Sequence, residues 1–100
     1  ICTSIIVVCE LRFGAAKSGS LRLIQQLERI FEVLPIFSLD SPVDRHYAAI
    51  RRHLEQAGTP ISPNDLLIAA HALALNLTVV TANVGEFGRV PALSLENWLV

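Results

Sequence analysis

From Leu66 to Leu75 every residue but His71 is apolar. A helix built from such a run has almost no face to offer water, so it must be covered by other elements. Ser62-Pro63-Asn64-Asp65 directly precedes it and carries the chemistry of a helix start. The Ser62 hydroxyl can accept from an amide of the first turn, Pro63 fits the first helical position, and Asp65 meets the positive end of the helix dipole. Asn76 is suited to end the helix in the left-handed conformation. The β-branched run from Leu77 to Thr81 then predicts a strand.

The same grammar recurs upstream. Ser41-Pro42-Val43-Asp44 predicts a helix with Ser41 as its cap and Val43, Tyr47, Ile50 and Leu54 as its buried stripe, ended by Gly58. Ser20 precedes Leu21, Ile24, Leu27, Ile30, Phe31 and Leu34 at helical spacing, and Pro35 stops that run before a short strand from Pro35 to Leu39. Ile5 to Val8 is β-branched and fits a strand, yet Ser4 could cap a helix running to about Lys17. After Thr81 a polar loop from Ala82 to Arg89 leads to an extended segment around Leu93 to Leu95. Helices alternating with short apolar strands predict one α/β domain with a parallel sheet over residues 1–100.

Composition narrows the function classes. With 100 residues there is room for one core, and 52% hydrophobic against 17% charged residues excludes a disordered chain. No apolar run approaches the roughly 18 to 20 residues that cross a bilayer, so no membrane role is expected. A net charge of -1 gives no general attraction to a polyanion. Nucleic-acid contact would therefore be local, with Arg51-Arg52 and the pair Arg12 and Lys17 as the best basic patches, although a solvated face explains either. Cys2 and Cys9 read as free, small hydrophobes in a reducing cytoplasm. The chain begins at Ile1 and has no Met, which predicts that residues upstream are missing.

Glu10, Asp65, Asn83 and Glu86 fall at the ends of predicted elements. In an open parallel sheet ligands sit beyond the carboxyl ends of strands, where Asp65 opens a helix and Asn83 follows a strand. Carboxylates gathered there suit a hard, oxygen-seeking cation, magnesium or manganese, better than zinc. Each residue also has a plain structural reading: Asp65 as the acid of a capping box, Glu10 on a solvated helix face, Asn83 and Glu86 as loop residues. His71 is about 120° around its helix from Asp65, which predicts a hydrogen-bonded or partly exposed side chain outside that site. His46 and His53 read as surface residues, and Trp98 as a core lid or subunit contact.

Three stretches, Ser4-Ile5-Ile6-Val7-Val8-Cys9-Glu10-Leu11-Arg12-Phe13-Gly14, Gly58 to Ala72 with Asp65-Leu66-Leu67-Ile68-Ala69-Ala70, and Leu77 to Phe87, occur in the order of one family. With Arg89-Val90-Pro91 and Glu96-Asn97-Trp98, the chain resembles the VapC-type PIN-domain ribonucleases over nearly its whole length. The resemblance implies a PIN-like three-layer α/β domain, a parallel β-sheet flanked by helices, with Glu10 on a helix. It assigns Glu10 and Asp65 to an acidic Mg2+ or Mn2+ site that Asn83 and Glu86 complete. Many relatives carry an acid where Asn83 stands, which implies weaker metal binding at that corner. The family's N-terminal strand and its aspartate have no counterpart in this chain. The implied activity is an endoribonuclease toxin acting on tRNA or other structured RNA, cytoplasmic, homodimeric and controlled by a VapB-type antitoxin. A catalytically inactive truncated module that binds antitoxin or itself is the alternative, and a metal-free α/β interaction protein a third.

Overall fold

A computed structural model describes residues 2–40 and 42–97. The chain forms two compact units, residues 1–39 and residues 40–100.

In the first unit, β1 (Thr3–Ser4) leads straight into α1 (Ile5–Ser18), followed by α2 (Leu21–Val33) and β2 (Ile36–Phe37). The β-branched start of α1 is helical because Ser4 turns the chain. Its backbone is extended, and its hydroxyl accepts from the Ile6 amide at 3.2 Å. Burial then outweighs propensity: Val8 and Ala15, two turns apart, are each 3% exposed. β1 and β2 pair in parallel, Thr3 opposite Ile36 and Ser4 opposite Phe37, and the Thr3 amide extends the ladder to the Pro35 carbonyl. The Ser20 hydroxyl caps α2 at the Leu23 amide. α2 is the expected helix, but none of its residues is buried, and Leu21, Ile30 and Val33 are exposed. Arg12 binds α1 to α2: its guanidinium is paired with Glu28 and lies over the Phe31 ring at 4.9 Å. It is a clasp between helices rather than half of a basic patch with Lys17. Both cysteines are free, and Cys9 is exposed rather than a buried hydrophobe.

The second unit contains α3 (Val43–Gln56), α4 (Pro63–Leu75), β3 (Val79–Val80), α5 (Val84–Phe87) and β4 (Leu95–Glu96). Pro42 is the residue before α3 rather than its first helical residue, and the expected cap Ser41 lies outside the described residues, as does Trp98. Gly58 does what was expected of it. At φ 72° it takes the left-handed conformation, while its amide reaches the Glu55 carbonyl and the Thr59 amide reaches Leu54, the two bonds of a Schellman ending. Asn76 ends α4 the same way at φ 55°, with Asn76 bonded to Leu73 and Leu77 to Ala72.

α3 and α4 pack together. Val43, Ile50 and Leu54 of α3 and Leu66, Ala69, Ala70 and Ala72 of α4 are buried, and Ala69 and Ala70 are fully covered. Alanine there lets the two helices approach closely. His71 is 3% exposed, which removes the partly exposed alternative, and no buried side-chain nitrogen or oxygen among the described residues lacks a partner. β3 pairs in parallel with β4, Val79 opposite Leu95, and amides of Val79 and Thr81 continue the ladder to Ser94 and Glu96. The segment expected as a loop after Thr81 contains the short helix α5, with Phe87 and Val90 anchored in the core. Parallel pairing and the α/β class are thus present, as two short pairs, one in each unit.

Leu54, at 2% exposure, is the largest fully buried side chain described. Leu54→Ala is expected to cost about 2–5 kcal/mol, read as a lower urea midpoint with unchanged slope, whereas Leu54→Met should cost less than about 1.5 kcal/mol.

Candidate active site

The turn Pro60-Ile61-Ser62-Pro63 delivers the chain into α4. There the Ser62 hydroxyl accepts from the Asp65 amide at 3.3 Å, so the expected cap is in place. With its amide held, the Asp65 side chain projects from the first turn of α4 and is half-buried. It accepts from the Asn83 side-chain amide, Nδ2 to Oδ2, at 3.3 Å. The capping and site readings of Asp65 are therefore compatible: its backbone serves the helix while its carboxylate serves the cluster.

Asn83 is placed by β3 and by its own turn. Its backbone amide donates to the Thr81 hydroxyl at 3.0 Å, and its side-chain oxygen accepts from the Glu86 amide at 3.5 Å as the cap of α5. The nitrogen end of the same side chain is thereby turned toward the acids. It donates to Asp65 and, also at 3.3 Å, to Oε2 of Glu86. One amide thus links two carboxylates that are 21 residues apart in sequence.

Glu86 is held below the ordinary glutamate pKa. The largest cause is a hydrogen bond with the Asp65 side chain, followed by the Ser62 backbone N–H, the Asn83 amide and the positive charge of Arg89, with desolvation opposing them. Donors and a positive charge around a carboxylate favour its ionised form, which is the direction of this shift. The Nη1 of Arg89 donates to the Pro60 carbonyl at 3.1 Å.

Of the four residues singled out in the sequence, the structure brings Asp65, Asn83 and Glu86 into one cluster. Glu10 stands on α1 in the other unit with its side chain exposed. Among the described residues no three His, Cys, Asp or Glu side chains are grouped to hold a metal. The cluster of the second unit is two carboxylates and an amide. Arg89 was not recognised from sequence as part of it. The available signal was its place three residues beyond Glu86, one helical turn on. In the basic pair Arg51-Arg52, Arg51 donates to the Tyr47 hydroxyl at 3.1 Å and pairs with Glu55 at 3.4 Å on an exposed helix face. No helix among the described residues is long and apolar enough to cross a membrane.

Comparison with known proteins gives this geometry a family. Residues 1–93 match the model of the PIN domain. The chain is 43% identical to Ribonuclease VapC2 of Rickettsia felis over 99 residues, covering 98% of this chain and 74% of that protein. It is 38% identical to the tRNA(fMet)-specific endonuclease VapC of Salmonella typhimurium, covering 97% and 74%. Among solved structures it superposes on VapBC2 of Rickettsia felis bound to a promoter DNA fragment with a TM-score of 0.89 and 44% identity, over 98% of this chain and 74% of the other. VapBC-1 from nontypeable Haemophilus influenzae gives 0.90 at 34% identity, over 100% and 75%. The chain spans about three-quarters of the length of these relatives. The matched length, the identities and the shared fold have one meaning: the chain is a member of the PIN-domain family, alongside the VapC ribonucleases.

Proposed function

We propose that this protein is a metal-dependent endoribonuclease, the toxin of a VapBC-type toxin-antitoxin pair, cutting tRNA or another structured RNA. The observation that carries this reading is the meeting of Asp65 and Glu86 across the Asn83 amide. Relatives named as ribonucleases and as a tRNA(fMet)-specific endonuclease support the activity, and relatives solved as VapBC complexes support a VapB-type antitoxin as partner.

The donor set fits Mg2+ or Mn2+. It offers carboxylate oxygens and no thiol or imidazole, and hard cations take such ligands. Two acids joined through one amide also gather negative charge at one place, which a divalent cation would offset. Asp65 would hold the ion with Glu86 beside it, and Glu10 is assigned to the same task on family resemblance. When bound, the ion supplies a water of lowered pKa and charge stabilisation at the phosphoryl group. The protein's own residues do the positioning. Ser62 fixes the backbone under Asp65, and Asn83 orients both carboxylates. Glu86, kept ionised by its neighbours, can take up a proton released at the site. No side-chain nucleophile is required. Homodimerisation and a cytoplasmic setting complete the proposal.

The direct test uses the full-length protein with total tRNA and either metal. Asp65→Asn and Glu10→Gln should each lower cleavage at least about a hundredfold with the circular dichroism spectrum unchanged. Cleavage by Asp65→Asn at the original rate would sink the assignment, and antitoxin binding without any cleavage would leave an inactive binding module. Mn2+ at about 100 times its dissociation constant should stabilise the protein by ~2.7 kcal/mol, seen as a raised melting temperature, and Asp65→Asn should abolish the shift. In the metal-free protein, carboxyl NMR should show Glu86 titrating below free glutamate. A lowered folded-state pKa stabilises the fold above the unfolded-state value, and that contribution is lost as pH falls through the folded one. Asn83→Ala removes a donor to Glu86 and should move its midpoint upward.

A further inference from the structure

Pro60 and Pro63 have no backbone N–H, so the turn that opens α4 has two fewer donors with which to tie itself down. It is held from outside at two points on either side of Ser62. The Asn83 amide reaches Asp65 after it, and Arg89 reaches the Pro60 carbonyl before it, across 29 residues of sequence. Arg89 is well placed to act as a fixed post. Its neighbours Phe87 and Val90 are each 4% exposed, and the Arg89 and Val90 amides close back onto the Glu86 and Phe87 carbonyls at 3.1 Å. The backbone under Arg89 is therefore anchored in the core, while its side chain lies at the surface.

A positive charge beside a pair of carboxylates is a poor neighbour for a divalent cation, because it repels the ion. Its presence there calls for a compensating role, and the bond to Pro60 provides one. We infer that Arg89 is a positioning residue: its guanidinium pins the turn from Pro60 to Pro63 to the end of α5 and so sets where Asp65 stands against Glu86. The inference rests on the reading of those two carboxylates as a cation site. It assigns Arg89 no contact with the substrate or the ion. Residues that orient first ligands in this way typically contribute 10- to 100-fold to metal affinity.

The two possible roles of Arg89 have opposite signs, which makes them separable. In the full-length protein, Arg89→Met keeps the apolar stem but removes the donors and the charge, and Arg89→Lys keeps a charge and a donor able to reach a carbonyl. Positioning predicts that Arg89→Met weakens Mn2+ binding, measured by calorimetry, by about 10- to 100-fold, and that Arg89→Lys restores most of it. In the metal-free protein, hydrogen exchange at the Ser62 and Asp65 amides should accelerate about tenfold or more in Arg89→Met, while Ile50 and Leu54 in α3 keep their protection. Equal or tighter Mn2+ binding by Arg89→Met would overturn the inference, since removal of a merely neighbouring charge gives that result. Failure of the wild-type protein to bind Mn2+ would instead overturn the cation site. The exchange comparison then decides the positioning role alone, and unchanged exchange at Ser62 and Asp65 would end it.

Discussion

The bond from the Asp65 amide to the Ser62 hydroxyl is the constraint on which the second unit turns. It starts α4 at a defined residue, and that start fixes two things at once. One is the register of the buried positions Leu66, Ala69 and Ala70 on a helix that packs with α3. The other is the direction in which the one carboxylate of the first turn leaves the helix. A slip of one residue would rotate the helix by about 100°, exposing the alanine seam and withdrawing Asp65 from Asn83. Packing and chemistry are set by the same bond.

Local grammar explains why so much of this could be read in the sequence. Ser62-Pro63, Gly58 and Asn76 act on residues within one helical turn, so their outcomes depend on little beyond the adjacent chain. The helical form of Ile5 to Val8 was harder, because propensity pointed to a strand. Family resemblance gave the helix, and the structure shows why it holds: the Ser4 cap and the covering of Val8. The four residues of α5 offer no periodicity to detect, so the sequence there predicts only a loop. The stripe on α2 was legible as a helix, but sequence spacing gives no measure of how far the stripe is covered.

The site divides along the same line. Each of Asp65, Asn83 and Glu86 could be picked out by its place at an element end, yet their convergence is a tertiary fact. Asp65 and Glu86 belong to different helices, and α5 meets the start of α4 through contacts between residues far apart in sequence, Asn83 with Asp65 and Arg89 with Pro60. The arginines fit the solvated-face reading: Arg12 and Arg51 are each about half-exposed, and each is paired with a glutamate and an aromatic residue. Counting charges along a chain overstates what remains available to a polyanion.

Asn83 performs its two tasks with opposite ends of one small group, the oxygen toward α5 and the nitrogen toward the acids. Exchange of that nitrogen for oxygen, as in Asp, would leave helix capping intact, since both residues cap equally well. The cluster would change character altogether. A neutral bridge that damps repulsion between two anions would become a third anion, and the corner would pass from self-neutralised to strongly dependent on a counterion. A one-atom difference at this position would therefore set how much negative charge the corner must offset, with the same capping geometry.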